Sequence, residues 1–411
     1  MNRPELLAPA GNMEKLRMAL IYGADAVYIG GEKYGLRAAA GNFTLDEIKE
    51  GVEFAHGIGK KIYITVNIIP HNEDLEGLPE YISGLSKTGA DALIVSDPSI
   101  IMIAKEVAPQ MELHLSTQAS NTNYKSAEFW YKLGVKRIVL ARELSFDEIR
   151  ETIKKSPEGL EYEVFVHGAM CISYSGRCLL SNYMVGRDAN RGECAHPCRY
   201  KYYLVEEKRP GQYMPVQEDE RGTYIFNSRD LCMLPHIPEL LKSGVKSLKI
   251  EGRMKSSYYV ATVVRAYRMA MDSFLSNPEN YVFKQEWMDE VSKASHREFG
   301  TGFYFSKPDS KGQIYDTSAY VRDYAFIGMV LDYDSAAELA TVEQRNKMVL
   351  GDEIEVVGPG KDMFVQTIEK MWDETGQEID SAPHPQQIIK MKMKHPVQKY
   401  DILRRERKDG E

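Results

Sequence analysis

Four stretches of the sequence share one pattern: YGADAVYIG (22–30), TGADALIVS (88–96), LGVKRIVLA (133–141) and SGVKSLKIE (243–251). Each stretch follows an amphipathic, helix-like segment, has a glycine at its second position and continues into a short apolar run. The glycine can adopt the left-handed conformation that ends a helix. Runs that are apolar on both faces are typical of parallel strands covered by helices. The pattern therefore predicts repeated βα units.

Eight short apolar runs of this kind occur before residue 252. They are Leu6–Ala8, Ala26–Ile29, Ile62–Val66, Ala92–Val95, Leu113–Leu115, Arg137–Leu140, Tyr162–Val166 and Ser247–Ile250. Capping-box pairs, Thr44 with Glu47 and Ser145 with Glu148, mark two of the intervening helix starts. Eight units predict an α/β protein with a TIM-type (β/α)8 barrel. An open doubly wound sheet is the alternative. We favour the barrel because eight units close one and no GxGxxG follows the first strand.

The regular spacing breaks between the seventh and eighth runs, where about 80 residues intervene. From Ala319 onward the pattern changes to short alternating segments with Gly-Asp and Pro-Gly turns, which favours a small antiparallel β-barrel. We therefore predict a TIM-like barrel over residues 1–275 with a cysteine-rich insertion at about 169–232. A helical connector should follow over 276–320, and the small β-barrel should span 321–411.

Composition and charge exclude several classes of protein. The 411 residues are 43% hydrophobic and 27% charged, which is typical of a globular protein. No apolar run approaches the ~18 residues of a membrane span, and the first residues lack the apolar core of a signal peptide, so we expect a cytoplasmic protein. A net charge of −8 excludes a broadly basic nucleic-acid binder. Local basic patches remain, over Lys390–Lys408 and at Arg187, Arg191, Arg199 and Lys201.

Polar side chains follow most of the predicted strands, at the end of a barrel where active sites lie. They include Asn67, Gln118, Arg142, Glu143, His167, Glu251 and Arg253. Turns are polar in any protein, so a single one carries little weight, but together they indicate a ligand site. Arg142 and Arg253 could bind a carboxylate bidentately. His167 could act as acid or base near neutral pH. Glu251 could orient these groups, or form a purely structural ion pair.

All five cysteines lie within one short region: Cys171, Cys178, Cys194, Cys198 and Cys232. Cysteines that serve only as small buried hydrophobic residues would be scattered through the core. Their confinement to one region therefore indicates metal or redox chemistry in a cytoplasmic chain. Cys232 is expected to open the helix before the last barrel strand, a position that favours a thiolate. Structural zinc usually shows two close cysteine pairs, and only Cys194 and Cys198 form one. Thiolates from separated loops suit an iron–sulfur cluster equally well, and spacing alone leaves both metals open.

The stretch EVFVHGAMCISYSGRCLLS, Glu163 to Ser181, resembles the signature of peptidase family U-32, E-x-F-x2-G-[SA]-[LIVM]-C-x4-G-x-C-x-[LIVM]-S. The LAPAG start, the STQ after the fifth strand and the KIEGR run at Lys249–Arg253 are similar to the same family. The resemblance covers the barrel, about two-thirds of the chain. The last 90 residues more distantly resemble the family's C-terminal β-barrel.

The resemblance implies a function as well as a fold. Bacterial members of the family are tRNA hydroxylation proteins that form 5-hydroxyuridine at the wobble position without oxygen. The resemblance to these proteins implies a 4Fe-4S cluster and a dependence on prephenate. Matching motif positions makes Cys171, Cys178, Cys194 and Cys232 the cluster ligands, with Cys198 competing for the third place. The expected partners are tRNA, a small carboxylated metabolite and a redox or accessory protein. The alternatives are a collagenase-like peptidase and a non-catalytic RNA-binding protein with a structural metal site.

Overall fold

The computed structural model describes residues 3–36, 41–171, 173–199, 203–204, 214–215, 227–307, 313–314 and 320–408. Eight parallel strands form its largest feature. They are β1 (Glu5–Pro9), β2 (Ala26–Gly30), β3 (Lys61–Val66), β4 (Ala92–Val95), β5 (Glu112–Leu115), β6 (Arg137–Val139), β7 (Glu161–Ala169) and, after an insertion, β12 (Ser247–Ile250). Strands β1 to β7 pair in chain order, and β12 pairs in parallel with both β1 and β7. This closed ring confirms the predicted TIM-type barrel.

The described residues form ten α-helices, most of which cover the outside of the ring. They are α1 (Met13–Ile21), α2 (Leu45–Gly57), α3 (Leu78–Ser86), α4 (Pro98–Val107), α5 (Tyr124–Lys132), α6 (Phe146–Lys155), α7 (Leu180–Val185), α8 (Ile237–Lys242), α9 (Ser257–Ser276) and α10 (Gln285–Ser292). Both predicted capping boxes are present, at the starts of α2 and α6. The four glycines of the repeated pattern have positive φ angles: Gly23, Gly89, Gly134 and Gly244. No helix among the described residues is long and apolar enough to cross a membrane.

The insertion between β7 and β12 carries α7 and several short strands. They are β8 (Tyr203–Leu204), β9 (Met214–Pro215), β10 (Asn227–Ser228) and β11 (Asp230–Cys232). Strand β11 pairs antiparallel with β7, which places Cys232 opposite His167. The expectation that Cys232 opens a helix is wrong, because this residue ends a buried strand and α8 begins only at Ile237. Beyond the barrel, β13 (Phe299–Gly300) pairs with β11, and β14 (Gln313–Ile314) pairs with β10.

The C-terminal region forms a separate antiparallel sheet that curls on itself, which confirms the predicted small β domain. Its strands and the short pair beside them are β15 (Tyr324–Asp334), β16 (Leu339–Gln344), β17 (Met348–Val349), β18 (Glu353–Val357), β19 (Phe364–Thr367), β20 (Met371–Trp372), β21 (Glu378–Ile379), β22 (Ser381–Ala382), β23 (Ile388–Lys392) and β24 (Ile402–Glu406). The order in the sheet is β19-β18-β24-β15-β16-β23-β20-β21.

The basic tail of the sequence is a central part of this sheet. Strand β24 lies between β15 and β18, with Arg404 fully buried and Arg405 5% exposed. Arg405 approaches Asp352, and Lys408 donates a hydrogen bond to the same carboxylate at 2.5 Å. Arg404, Arg405 and Lys408 are therefore engaged in the fold, whereas Lys399 and Arg407 are exposed. The basic patch expected over Lys390–Lys408 is thus only partly available at the surface. Lys390 on β23 remains exposed.

Buried charges join the sheet to the barrel. The Arg404 guanidinium donates to both Glu290 oxygens, at 3.0 and 2.6 Å, and to Glu355 at 2.7 Å. Glu290 lies on α10 and also accepts a hydrogen bond from Arg265 of α9 at 3.3 Å. Arg265 in turn donates to the carbonyl oxygen of Gly358 in the sheet domain. The network fixes the sheet against the helices that follow the last barrel strand.

We expect Arg404→Ala to destabilise the docked sheet by about 3–5 kcal/mol, because Glu290 then keeps a buried charge without its bidentate partner. Hydrogen exchange of β24 and α10 should quicken accordingly. Lys392→Ala, on an exposed side chain of the same sheet, is the control and should change stability by less than about 0.5 kcal/mol. Equal protection in the Arg404 variant and the wild type would contradict a stabilising role for this network.

Candidate functional site

A cavity of about 180 Å³ opens at the carboxyl ends of the barrel strands. The structure brings nine of the residues named in the sequence analysis together in its lining. They are Asn67, Gln118, Arg142, Cys171, Cys178, Cys194, Cys198, Glu251 and Arg253. Residues on or just after strands β2 to β7 and β12, and residues of the insertion, therefore face one space, as expected for the catalytic end of a barrel.

Three further predicted residues are not part of the described lining: Glu143, His167 and Cys232. His167 is 2% exposed and packs against the rings of Tyr267 and Phe299. Burial lowers the pKa of His167 to about 3, so the ring is neutral near physiological pH. This placement does not favour the predicted acid–base role. Burial also raises the pKa of Glu143.

Arg142 is held by neutral groups at the edge of the insertion. Its guanidinium donates to the carbonyl oxygen of Ala169 and to the hydroxyl of Ser175, both at 3.0 Å. It also lies over the ring of Phe165, 5.2 Å from the centroid. Burial opposes its charge, but nearby Cys171 and Glu251 outweigh that effect and raise the pKa of Arg142 above its usual range. The site therefore carries a fixed positive charge beside a thiol.

Arg253 reaches the cavity from the loop after β12. Its guanidinium donates to the Thr65 hydroxyl at 3.3 Å and to the Asn42 side-chain oxygen at 3.1 Å, and the residue is 4% exposed. The position requires a glycine at residue 30, because a Cβ there would lie within 3 Å of three guanidinium atoms. Gly30 therefore leaves room for Arg253 at the mouth of the barrel.

Lys249 is a cavity residue that the sequence analysis did not single out for the site. It is 4% exposed, and its ammonium donates to Glu163 at 2.8 Å and lies 4.4 Å from the centroid of the Tyr28 ring. Tyr28 also lines the cavity and donates to Glu251 at 3.3 Å. The sequence feature that could have identified Lys249 is its position inside an otherwise apolar strand, because a lysine buried in a strand is normally paired with an opposite charge.

Two amide oxygens in the cavity lining indicate a ligand. The side-chain oxygens of Asn67 and Gln118 are buried and accept no hydrogen bond from any described residue. The nitrogen of the Asn67 side chain is occupied, since it donates to Ser116 at 3.1 Å. Buried acceptors are normally satisfied, so these two oxygens are open to a donor that the described residues do not supply.

The four cavity thiols are side chains of the type that ligate metal ions and iron–sulfur clusters. Among the described residues, no three His, Cys, Asp or Glu side chains lie close enough together to hold a metal ion as they stand. A cluster distributes its irons among four thiolates, and Cys171, Cys178, Cys194 and Cys198 line one cavity. Cys232, the fourth ligand that the resemblance implies, is instead buried beside Tyr267.

One thiol in the lining has a histidine neighbour. Nδ1 of His196 lies 3.8 Å from the Cys194 sulfur, and His196 has a left-handed φ of 56°.

The basic residues expected to form a patch around the insertion lie in different environments. Arg187 is exposed, whereas Arg191 pairs with Asp74 at 2.8 Å. Lys201 and the side chain of Arg199 lie outside the described residues.

Comparison with known proteins shows the family of the chain. The model of "Peptidase family U32" matches residues 11–314, and that of "Peptidase family U32 C-terminal domain" matches residues 322–404. The chain belongs to peptidase family U32. Among the relatives of this U32 protein is the Bacillus subtilis "tRNA hydroxylation protein P1", 46% identical over 98% of the chain and 95% of the relative.

Two more relatives span nearly the whole U32 chain. The Escherichia coli "tRNA hydroxylation protein P" is 37% identical over 93% of this chain and 92% of its own length. The Porphyromonas gingivalis "Collagenase" is 32% identical over 98% of both. Relatives with different names thus share both domains of this protein.

The thiols of the metal-free U32 protein should differ in reactivity. We expect iodoacetamide to modify exposed Cys171 first and Cys232 last. Burial raises the pKa of Cys232 to about 11 from an ordinary 9.0, which alone reduces its thiolate fraction roughly a hundredfold. Peptide mass spectrometry of timed samples gives the order, and urea-unfolded protein, in which all five should react alike, is the control. Early labelling of Cys232 would contradict its placement.

Proposed function

We propose that this protein hydroxylates a uridine of tRNA, forming 5-hydroxyuridine at the wobble position. The proposed reaction is independent of oxygen, uses a 4Fe-4S cluster and depends on prephenate, and it takes place in the cytoplasm. The observation that carries the proposal is the coincidence, in one cavity, of four thiols, two guanidinium groups and two buried amide oxygens to which no described residue donates a hydrogen bond. Full-length relatives named for tRNA hydroxylation support it.

The cluster would supply electron transfer. Replacing a ring hydrogen by a hydroxyl group drawn from water releases two electrons and two protons, and the expected redox partner protein would accept the electrons. We retain the ligand set that the resemblance implies: Cys171, Cys178, Cys194 and Cys232. Three of these thiols line the cavity. Cys198 also lines it and is the competing ligand. Cys232 would have to exchange its contact with the Tyr267 hydroxyl for the metal.

The amide groups suit a uracil ring. Uracil presents one ring N–H donor between two carbonyl acceptors, and the buried oxygens of Asn67 and Gln118 can accept from such a donor. Enzymes that modify a base of RNA take it out of the stack and bind its edge in a pocket of this kind. These residues would therefore orient the base for reaction at a neighbouring ring carbon.

The two arginines suit a carboxylated co-substrate. Neutral partners hold both guanidinium groups in place, Ser175 for Arg142 and Thr65 with Asn42 for Arg253. A guanidinium fork pairs a carboxylate through two parallel hydrogen bonds, which fixes its orientation as well as its charge. Glu251 brings a carboxyl group to the same lining and is the better-placed proton carrier, because His167 is buried and neutral.

A peptidase is the second candidate, and one contact favours it. Cys194 and His196 lie 3.8 Å apart, in the arrangement of a thiol nucleophile with its base, and a relative is named collagenase. A peptidase would lose activity in both Cys194→Ala and His196→Ala. The proposed hydroxylation needs Cys194 as a metal ligand and should tolerate His196→Ala. Cleavage of gelatin by the wild type but by neither variant would establish the peptidase.

Anaerobically purified protein should be brown, with broad absorption near ~400 nm and about four irons per chain. Each of the substitutions Cys171→Ser, Cys178→Ser, Cys194→Ser and Cys232→Ser should remove the colour, because a hydroxyl is a poor ligand for these irons. Cys198→Ser is the matched control within the same cavity and should keep its colour. A colourless protein with one zinc would overturn the cluster. Bleaching by Cys198→Ser with colour retained in Cys194→Ser would make Cys198 the third ligand in place of Cys194.

Deleting the gene, together with any oxygen-dependent route to the same nucleoside, should remove 5-hydroxyuridine-type modifications from total tRNA. Wild-type protein should restore them. We expect Arg253→Lys and Gly30→Ala to restore little, since the first removes the fork and the second displaces it, and misplacement of about 1 Å can cost about a hundredfold in rate.

Gly57→Ala is the matched control for this complementation, because nothing lies within 4 Å of a Cβ at that position. It should restore the modification fully. Unchanged nucleosides in the deletion strain would overturn the hydroxylase, and full restoration by Arg253→Lys would place the co-substrate elsewhere.

A further inference from the structure

A second cavity, of about 540 Å³, lies between the barrel mouth and the C-terminal sheet. We call it the interdomain groove. Its lining comes from the loop after β12, the start of α9, the segment before β15, and the sheet. The side chains that define its character are Lys255, Tyr258, Tyr320, Arg322, Phe326 and Arg407.

The groove is cationic although the chain is acidic. Lys255, Arg322 and Arg407 line it, and the last two are exposed. Glu251 is the acidic residue in its described lining, at the end shared with the site cavity. Since the net charge is −8, this local excess of positive charge points to an anionic occupant rather than to a general property of the surface.

Aromatic rings accompany these cations. The Lys255 ammonium lies 3.9 Å from the centroid of the Tyr320 ring, which is partly exposed. Tyr258 and Phe326 stack with their centroids 5.6 Å apart and their planes 9° apart, and Phe326 is partly exposed. Met254, beside them, is 55% exposed. The Arg297 guanidinium also lies 5.4 Å from the Tyr320 centroid. Cations along a groove together with partly exposed aromatic rings are what single-stranded nucleic acid requires, for its phosphates and its bases respectively.

The groove adjoins the site cavity, because Ala169, His196 and Glu251 line both spaces. A strand lying in the groove therefore has its nucleotides beside the cavity. A double helix would first have to unpair and unstack a base, which costs free energy that a single-stranded loop does not pay.

We propose that the interdomain groove binds a single-stranded loop of the RNA substrate. Lys255, Arg322 and Arg407 contact its phosphates, an unstacked base lies on Tyr320, and the neighbouring nucleotide enters the cavity. The inference rests on the proposed function in that the substrate is RNA. The inference adds that a single-stranded loop is the part of the RNA that is recognised and that the interdomain groove recognises it.

The first test is binding of a hairpin RNA with a uridine-containing loop to the full-length protein, measured over a range of salt concentrations. We expect the double variant Arg322→Glu/Arg407→Glu to bind at least about tenfold more weakly. Each lost phosphate contact should also reduce the slope of log K against log salt by about 0.7. The matched control is Lys392→Glu/Lys394→Glu, which makes the same charge change at exposed residues of the same sheet.

The second test separates stacking from charge. Tyr320→Ala should weaken hairpin binding by about tenfold, whereas Tyr320→Phe keeps a ring face and should bind like the wild type. A blunt RNA duplex of the same length is the second probe. Neither Tyr320 variant should alter its binding, because a duplex offers no unstacked base.

The outcomes distinguish this inference from the proposed function. Weaker hairpin binding in the groove variants, with iron content unchanged, supports the groove even if tRNA hydroxylation fails its own test. Wild-type binding by both groove variants overturns the groove, whatever the nucleoside analysis shows. Equal weakening by the control pair, or a wild type that prefers the duplex, also overturns it. Loss of gelatin binding alone in the groove variants would assign the groove to a polypeptide.

Discussion

The ion pair between Glu163 and Lys249 holds together the two strands whose contact closes the barrel. It is buried, 2.8 Å long, and joins β7 to β12 inside the ring, with Arg137 3.5 Å from the same carboxylate. Closure brings the ends of all eight strands to one mouth, so the site depends on it. Glu163 is the first residue of the family signature and Lys249 the first of the KIEGR run, so the ion pair explains the presence of both residues structurally. The Lys249 ammonium also places a positive charge at the cavity wall.

The barrel could be predicted because its evidence is local and repeated. Each of the eight units carries its own apolar run, and four of them also have a glycine before it, so several independent signals agreed. The centre of the C-terminal sheet could not be predicted in this way. Arg404 gives β24 the composition of a solvated tail, and its charge is neutralised by Glu290, 114 positions earlier in the chain. Partners so distant in sequence leave no local pattern.

The site was predictable to the extent that strand ends were. Asn67, Gln118 and Arg253 follow their strands closely and reach the cavity as expected. His167 does not, because β7 continues to Ala169 rather than ending at the predicted position. Those additional residues turn an expected loop histidine into a strand residue paired with β11 and buried among aromatic rings. A shift of a few residues in a strand boundary thus decides whether a side chain meets solvent or core.

The position of β24 in the sheet has a consequence for biosynthesis. Strands β15 and β18 do not pair with each other; both pair with β24, which follows them in the chain. While the ribosome is still translating the intervening segment, both strands present unpaired backbone edges, which are prone to pair with other chains. The barrel precedes them and can fold first. Arrival of β24 then fills the gap in the sheet and delivers Arg404 to Glu290, so the last strand to emerge completes the domain and its docking together.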